Sequence, residues 1–409
     1  MGESPNADAL VFEVLTTPEG RADPYPRYRA LREASPIHRS ALGGLWYLTR
    51  YEDTRFALRD PRFGKHPEGT ATPFGVDDAD RTAYMTEFRR SSMLFLDPPD
   101  HTRLRSLVSR GFTPRRVDAL RPRIRDLLAP LLDRMADEGE TDVMEVLAFA
   151  LPVAVIGELV GVPATDREEF RPLVRASAAL IEPGASTETL EQAAGAQRQM
   201  RGYFRDLIEE RRRRPADDLL STLIEAEEQG DRLTADEVVA NTILLFAAGF
   251  ETTTNLIGNG LWTLLAHPDQ LARLRSDPTR ALAAVEEILR FESPVQLDAR
   301  YVQVPVEIDG RELKAGDTVI MFLGAANRDP DRFDDPDTFA IDREDNQPLS
   351  FGFGIHHCLG AQLARAEGQE VFREILHRFP AIELCESAPA WRPGITLRGL
   401  EHLRVSVAS

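Results

Sequence analysis

The chain has 409 residues, of which 42% are apolar and 28% are charged, and its formal net charge is −18. This composition is ordinary for a globular protein, and the acidic balance argues against nucleic acid or an anionic membrane surface as a partner. No stretch approaches about 20 continuous apolar residues, and the N-terminus lacks the pattern of a signal peptide. With only two cysteines, the sequence predicts a reduced, cytoplasmic protein.

The beginning of the chain alternates between predicted helices and strands. Residues 24–33 and 51–60 have helical patterns, whereas 37–42 and 45–49 indicate two strands joined at a Gly-Gly turn. Residues 61–95 show little periodicity, which is typical of a long functional loop.

The middle of the chain is predicted to be mostly helical. The clearest helix begins at the capping box Thr234-Ala-Asp-Glu237 and continues to Pro268. Its centre, residues 243–250, is apolar on every side, as expected of a buried central helix. Strand-like segments return after Pro294. The fold class is therefore mostly α with a smaller β-rich portion, and the absence of repeats and linkers favours a single domain over 1–409, loosely ordered over 1–22.

A polar interruption lies in the apolar centre of the long predicted helix. The segment AGFETT, residues 248–253, places a glycine, a carboxylate and two threonines where helix propensity and burial disfavour them. Successive threonines can also bond to upstream carbonyls and bend a helix. Such conflicts are expected at functional sites, although a kinked core helix with a hydrated pocket explains this segment equally well.

Other candidate residues give weaker signals. Glu287 and Arg290 are three residues apart and share a helical face, as an ordinary exposed ion pair would. His101 and Arg105 are four residues apart and could grip one anionic group, to which Arg300 could add a third cation. Each of these patterns also fits a plain surface position.

The segment FGFGIHHCLG, residues 351–360, holds one of the two cysteines. Its glycines allow backbone shapes closed to other residues and let a flat ligand approach closely. A zinc site needs about four ligands, and the side chains of adjacent His356, His357 and Cys358 diverge. A single thiolate suits haem, whose porphyrin supplies the other nitrogens. A tight turn around a buried cysteine is the alternative.

Together, and in this order, these motifs resemble those of the cytochrome P450 family. The family pattern F-G-x-G-x-H/R-x-C-x-G is matched in full over residues 351–360. The pattern A/G-G-x-D/E-T-T/S is matched over 248–253, and E-x-x-R is matched by Glu287 and Arg290. The resemblance runs from about Asp23 to the C-terminus. It implies the P450 fold, a triangular prism that holds haem between a long central helix and a cysteine-bearing loop.

The resemblance implies roles for particular residues. Cys358 is expected to be the thiolate ligand of the iron of haem b, while Glu251 and Thr252 are expected to deliver protons during dioxygen activation. Further haem contacts are expected from His101, Arg105, Ala248, Arg300, Phe351, Gly352, His356 and Gly360. The substrate pocket is expected to be lined by Leu94, Phe95, Leu244, Ala247, Val295, Leu297, Ile395 and Thr396.

A structural role is implied for the pair Glu287 and Arg290. Both are expected to hold the loop that carries the cysteine. Many members of the family also carry an arginine before Phe339, as a third partner of the pair. Here Thr338 stands at that position, and Arg343 is the candidate substitute.

The implied reaction is a monooxygenation. O2 and two externally supplied electrons would hydroxylate or epoxidise an apolar natural product such as a polyketide, macrolide, terpenoid or fatty acid. No dinucleotide-binding fingerprint is present, so ferredoxin and ferredoxin reductase are expected as electron donors. The ferredoxin is expected to contact Arg103 or Arg110, and the enzyme is expected to be a monomer.

The alternative functions differ in the residues that they need. A peroxide-driven haem enzyme or a non-catalytic haem sensor would not need Glu251 and Thr252. A structural zinc protein would be separated by metal analysis.

Overall fold

The computed structural model of the chain describes residues 6–41, 43–65, 88–182, 185–228 and 233–408. Much of the described chain is helical, in agreement with the predicted fold class. The helices are Ala7–Thr16, Pro18–Ala22, Tyr25–Ala34, Tyr51–Arg59, Asp100–Val108, Pro114–Glu138, Ala150–Val160, Phe170–Ala178, Thr187–Arg213, Leu219–Glu228, Ala235–Ala266, Pro268–Ser276, Ala281–Phe291, Leu323–Ala326 and Ala361–Arg378.

The β-rich portion is smaller and is divided among several sheets. The strands are β1 Ile37–Arg39, β2 Trp46–Leu48, β3 Phe63–Gly64, β4 Glu140–Asp142, β5 Leu297–Val302, β6 Val306–Ile308, β7 Arg311–Leu313, β8 Thr318–Phe322, β9 Ala381–Leu384, β10 Ala390–Trp391, β11 Leu400–His402 and β12 Arg404–Ala408. The main sheet has the strand order β1-β2-β8-β5-β3, in which β2 and β8 run parallel and the other neighbours antiparallel. A second sheet has the order β4-β12-β9, and β6-β7 and β10-β11 form two-stranded ribbons.

The predicted hairpin between residues 37 and 49 is present. Strands β1 and β2 pair antiparallel, with Ile37 opposite Leu48. Leu42, the last residue of the first predicted strand, lies outside the described residues, as do residues 66–87 of the predicted long loop.

The central helix, Ala235–Ala266, is the longest helix of the structure. Its 32 residues correspond to about 48 Å at 1.5 Å per residue. The predicted capping box is formed: the Thr234 hydroxyl accepts from Glu237 N at 3.2 Å, and the Glu237 carboxylate accepts from Thr234 N at 2.8 Å. At Gly249 an added Cβ would lie 2.8 Å from Ile156 Cγ1. Gly249 therefore lets the helix Ala150–Val160 pack closely against the central helix.

Residues 6–22, the described part of the segment 1–22, are mostly helical. Residues Ala7–Thr16 and Pro18–Ala22 form helices. Leu10, Val11 and Val14 are buried in an apolar cluster that they share with residues of β2 and β8. The expectation of a loosely ordered segment is therefore wrong for residues 6–22, because burial against the main sheet stabilises them.

No helix in the described part of the chain is both long enough and apolar enough to cross a membrane.

Candidate functional site

The loop that carries Cys358 is shaped by two glycines with left-handed backbone angles. Gly352 has φ +68° and Gly354 has φ +73°, a region that L side chains rarely adopt. The Cys358 N–H then donates to the Phe351 carbonyl at 2.8 Å, which closes the loop. A Cβ on Gly354 would lie 2.6 Å from the carbonyl oxygen of Leu58. Gly354 therefore also lets the loop approach the helix Tyr51–Arg59.

The Cys358 thiol is accessible to solvent but is surrounded by protein groups. Desolvation raises the pKa of the Cys358 thiol. The backbone N–H groups of Gly360 and Ala361 and the guanidinium groups of Arg105 and Arg365 act in the opposite direction. All four donors stabilise negative charge on sulfur. The loop thus offers one thiolate and polar groups that tune it.

Imidazole and cationic groups lie beside this loop. The rings of His101 and His356 have centroids 4.2 Å apart, and only 2% of His101 is exposed. In β5, buried Arg300 donates to Asp298 at 2.7 Å. Lys65 also contacts Asp298. The sequence predicted three of these groups together, but it did not indicate Lys65 or Asp298.

The charges in this cluster influence one another. Burial and the nearby Arg300 lower the pKa of the Lys65 ammonium to about 8, against the opposing effect of Asp298. Burial opposes ionisation of Asp298, but Arg300 and Lys65 outweigh it and lower the pKa of that carboxyl. Burial, Lys65 and Arg300 lower the pKa of His356. Two carboxylates lie among these groups: Asp298, and Asp97, which accepts from Lys65 N at 2.9 Å. The two imidazoles together with Lys65 and Arg300 still outnumber them, and such donors favour binding of an anion.

Several observations test whether this site fits a haem. Both ring nitrogens of His101 and Nε2 of His356 are buried and have no hydrogen-bond partner among the described residues. Such buried polar atoms are costly unless something bonds to them. A Cβ on Gly360 would meet no atom within 4 Å. The residues present therefore fit a flat group whose carboxylates would receive bonds from the imidazoles.

The central helix exposes one stripe of an otherwise buried segment. Ala248 is exposed, while Leu244, Ala247 and Thr252 are half-buried. These positions recur at intervals of three and four residues and so share one helical face. The Thr252 hydroxyl donates to the Ala248 carbonyl at 2.8 Å. The stripe is the open face in the middle of the central helix.

Glu251 is on a different face of the same helix and is only 4% exposed. Its carboxylate forms an ion pair with Arg392. Arg392 also donates to Asn255 Oδ1 at 3.2 Å and to the Leu400 carbonyl at 3.0 Å. No signal in the sequence pairs Glu251 with a residue 141 positions away.

Glu287 and Arg290 form a buried pair, not the exposed one that their spacing also allowed. The Glu287 carboxylate also accepts from Arg343 Nε at 3.2 Å. Arg343 therefore contacts the pair, as predicted for a substitute for the arginine that many family members carry where Thr338 stands. Asn346 Nδ2 donates to the same carboxylate at 3.0 Å.

The buried pair is linked to the cysteine loop through hydrogen bonds. Arg290 donates to the Asn327 carbonyl at 3.0 Å. The Asn327 side chain in turn bonds to Leu349 N at 2.7 Å and to the Ser350 hydroxyl at 2.8 Å. Gly352 N donates to the Leu349 carbonyl at 2.8 Å. The start of the loop is therefore anchored to the pair by side-chain and backbone bonds.

The predicted pocket residues divide into two groups. Leu94 is 37% exposed, and Phe95 and Val295 are half-buried. In contrast, Ile395 is 0% exposed and, like Leu297, belongs to the apolar cluster that packs on the N-terminal helices. That cluster covers the side chains of these two residues in this structure, and their place in the substrate pocket stays a prediction.

Thr396, another predicted pocket residue, is also buried, and its hydroxyl donates to the Ile181 carbonyl at 2.9 Å.

Of the two arginines considered for partner docking, Arg103 donates to Glu237 and Asp100, whereas Arg110 is exposed. Arg105 donates to the His357 carbonyl. In the described chain no three His, Cys, Asp or Glu residues converge as metal ligands.

Comparison with known proteins agrees with this geometry. The family described as Cytochrome P450 matches residues 75–390. The chain is 42% identical to cytochrome P450 monooxygenase PikC of Streptomyces venezuelae, over 94% of this chain and 91% of the relative. It is 41% identical to the 6-deoxyerythronolide B hydroxylase of Saccharopolyspora erythraea, over 94% of this chain and 96% of the relative.

The fold is likewise similar to that of a solved structure. P450BioI, in complex with acyl carrier protein ligated to hexadec-9Z-enoic acid, has 38% identity and a TM-score of 0.89, covering 95% of this chain and 100% of that chain. The chain therefore belongs to the cytochrome P450 family, whose members are haem-dependent monooxygenases.

Proposed function

We propose that this protein binds haem b through Cys358 and transfers one oxygen atom of O2 to an apolar natural product. One observation carries the proposal: buried imidazole nitrogens without a hydrogen-bond partner lie beside a loop that presents an accessible thiol. The loop has no second cysteine followed by histidine, so it offers no covalent haem attachment. Non-covalent haem b fits these residues.

The residues that would hold the haem follow from the site. Cys358 would ligate the iron, and His101, Arg300 and His356 would bind the propionates, with Arg105 beside the loop. Gly360 leaves room for the flat macrocycle. When bound, a thiolate-ligated haem would supply the redox chemistry that cleaves the O–O bond of dioxygen, with two electrons and two protons.

Residues of the central helix would deliver protons to the site where dioxygen is activated. Thr252 places a hydroxyl on the open face, hydrogen-bonded to the Ala248 carbonyl. Glu251 is a buried carboxylate next to it in sequence, and it forms an ion pair with Arg392. A hydroxyl and a carboxylate can pass protons inward from solvent while the apolar stripe excludes bulk water.

The substrate class follows from the open stripe and from the relatives. The exposed or half-buried positions Leu94, Phe95, Leu244, Ala247 and Val295 are apolar, so the substrate presents an apolar part to the site. Relatives include a hydroxylase of 6-deoxyerythronolide B and a cytochrome P450 of polyketide biosynthesis. A polyketide or macrolide is therefore the leading class for this chain, followed by terpenoids and fatty acids.

The electrons would come from a separate ferredoxin and its reductase, with the enzyme acting as a monomer. The exposed Arg110 is a more available contact for an acidic ferredoxin than Arg103, which already binds Glu237 and Asp100.

The absorption spectrum of the dithionite-reduced holoprotein, with and without carbon monoxide, tests the proposal. A strongly red-shifted Soret band with carbon monoxide would show that a thiolate is bound to the iron. A haem spectrum without that shift would contradict thiolate ligation. Properly folded protein without haem would contradict haem binding itself.

A further inference from the structure

The Glu182 carboxylate accepts hydrogen bonds from several backbone N–H groups of a turn near the C-terminus. The N–H groups of Ile395, Thr396 and Leu397 donate to Glu182 at 2.9, 3.0 and 3.2 Å. The Thr396 hydroxyl donates to the neighbouring Ile181 carbonyl at 2.9 Å. Hydrogen bonds to a charged acceptor are roughly twice as strong as neutral ones. These bonds therefore hold the turn against the segment around Glu182, which lies more than 200 residues earlier in the chain.

The carboxylate is closely enclosed by the turn. A Cβ on Gly394 would lie 2.7 Å from Glu182 Oε1. Any other residue at position 394 would therefore push the carboxylate out of place. The close approach of Gly394 to Glu182 indicates that this carboxylate has a specific binding position, unlike the carboxylate of an ordinary surface residue.

The same segment carries the partner of Glu251. We call residues 392–397 the strap. At its start, Arg392 N donates to the Gly399 carbonyl at 2.9 Å, and its side chain pairs with Glu251 and Asn255. Only Pro393 and Gly394 separate Arg392 from the turn that Glu182 holds, and proline fixes one of the intervening backbone angles.

The geometry points to Glu182 as a positioning residue for Glu251, acting through the strap. Glu182 anchors one end of the strap, and Arg392 at the other end meets the Glu251 carboxylate. This inference rests on the proposed role of Glu251 in proton delivery. If the strap loosens, buried Glu251 loses its fixed counter-charge and its orientation, so protons arrive less reliably and more electrons leave as hydrogen peroxide.

The test compares holoenzymes with equal haem content: wild type, Glu182→Gln, Arg392→Lys and the double variant. A ferredoxin, ferredoxin reductase and NADPH supply electrons, and hexadec-9Z-enoic acid serves as the apolar probe. Glutamine keeps one oxygen acceptor but turns an amide N–H₂ toward backbone N–H donors. We expect each single variant to raise the peroxide formed per NADPH about threefold, as the partial loss of a hydrogen bond would.

The double variant decides whether the two residues act together. If Glu182 acts through Arg392, the double variant gives no more peroxide than Arg392→Lys alone. Multiplication of the two single effects would overturn the inference, because it would mean that the two residues act independently.

A second readout does not depend on activity. Hydrogen–deuterium exchange of the Ile395, Thr396 and Leu397 amides should become about tenfold faster in Glu182→Gln, the factor that corresponds to about 1.4 kcal/mol. Glu188→Gln is the matched control, since Glu188 is exposed and has no hydrogen-bond partner among the described residues. It should change neither readout.

The outcomes remain distinguishable. Faster exchange with unchanged peroxide would reduce Glu182 to a stabiliser of the turn and overturn the inference. Unchanged peroxide in Glu251→Gln would instead refute the proposed proton role on which the inference rests. Should Glu182→Gln fail to fold, Thr396→Val loosens the strap more gently by removing the bond to Ile181, and it should raise peroxide in the same direction.

Discussion

Arg290 donates two parallel hydrogen bonds of 2.8 Å to the Glu287 carboxylate, and neither side chain has any exposed surface. Burial of two charges is stabilising only when each is fully satisfied. Here the remaining donors of Arg290 reach the carbonyls of Asn327, Pro336 and Thr338 at 3.0, 2.7 and 3.0 Å. The pair thereby joins the helix Ala281–Phe291 to the segment that leads into the cysteine loop.

The first prediction concerns this pair. Glu287→Gln should destabilise the holoenzyme by about 3–5 kcal/mol, because it leaves a buried guanidinium without its counter-charge. Urea unfolding of purified holoprotein measures this cost. Glu286→Gln is the matched control, since Glu286 pairs with Arg365 at a position where both side chains are partly exposed. Its cost should stay below about 1 kcal/mol. Equal costs for the two variants would contradict the prediction.

The second prediction concerns the two cysteines. Cys358→Ser should still bind haem but lose the red-shifted Soret band of the reduced carbon monoxide adduct, because the thiolate ligand is removed. Cys385→Ser should keep that band, since Cys385 lies after β9 on the exposed surface. The comparison uses reduced spectra of both holoproteins. Retention of the band in Cys358→Ser would refute thiolate ligation by this residue.

The third prediction concerns Thr252. Removing its hydroxyl in Thr252→Ala should divert electrons to hydrogen peroxide, because the open face of the central helix would lose a proton-carrying group. Peroxide formed per NADPH consumed is the measurement. Thr252→Ser keeps the hydroxyl and should behave almost as wild type. An unchanged peroxide yield in the alanine variant would exclude the proton role.

The fourth prediction contrasts two glycines of the cysteine loop. Gly354→Ala should lower the free energy of unfolding by more than about 1–2 kcal/mol. Alanine would be strained in the left-handed backbone conformation of this position, and its Cβ would lie 2.6 Å from the Leu58 carbonyl oxygen. Gly360 has φ −82° and open space around it. Gly360→Ala should leave folding within about 0.5 kcal/mol but weaken haem binding, measured as haem content after purification. Full haem content in that variant would show that the macrocycle does not approach Gly360.

The fifth prediction concerns Glu367, a buried side chain whose Oε2 has no hydrogen-bond partner among the described residues. Burial raises the pKa of the Glu367 carboxyl well above its ordinary value of 4.5. The folded protein therefore keeps a proton that the unfolded chain releases near pH 4.5. Stability is lost as the pH rises from there toward the folded pKa, by up to about 1.4 kcal/mol per pH unit.

Glu367→Gln removes this titration. The variant should gain stability relative to wild type as the pH rises above about 4.5, and the gain should vanish at lower pH. Urea midpoints of the holoproteins between acidic and neutral pH measure the difference, with Glu188→Gln as an exposed control. A pH-independent difference would mean that Glu367 is ionised in the folded protein.

Features that depend on near neighbours in the chain could be predicted from the amino-acid sequence. The capping box of Thr234 and Glu237, the apolar centre of the central helix and the glycine-shaped turn before Cys358 all follow from local hydrogen bonds, periodicity and backbone freedom. The motifs that indicate haem are of this kind, and they are sufficient to indicate the family.

The pairing of distant groups, in contrast, depends on the packing of the folded chain. Arg392 pairs with Glu251 and Lys65 with Asp298, while Ile395 is covered by the N-terminal helices that the sequence left loosely ordered. Such partners are 141 and 233 residues apart for the two ion pairs. Long-range pairing depends on how whole elements pack, and the spacing of residues within one element carries no information about it.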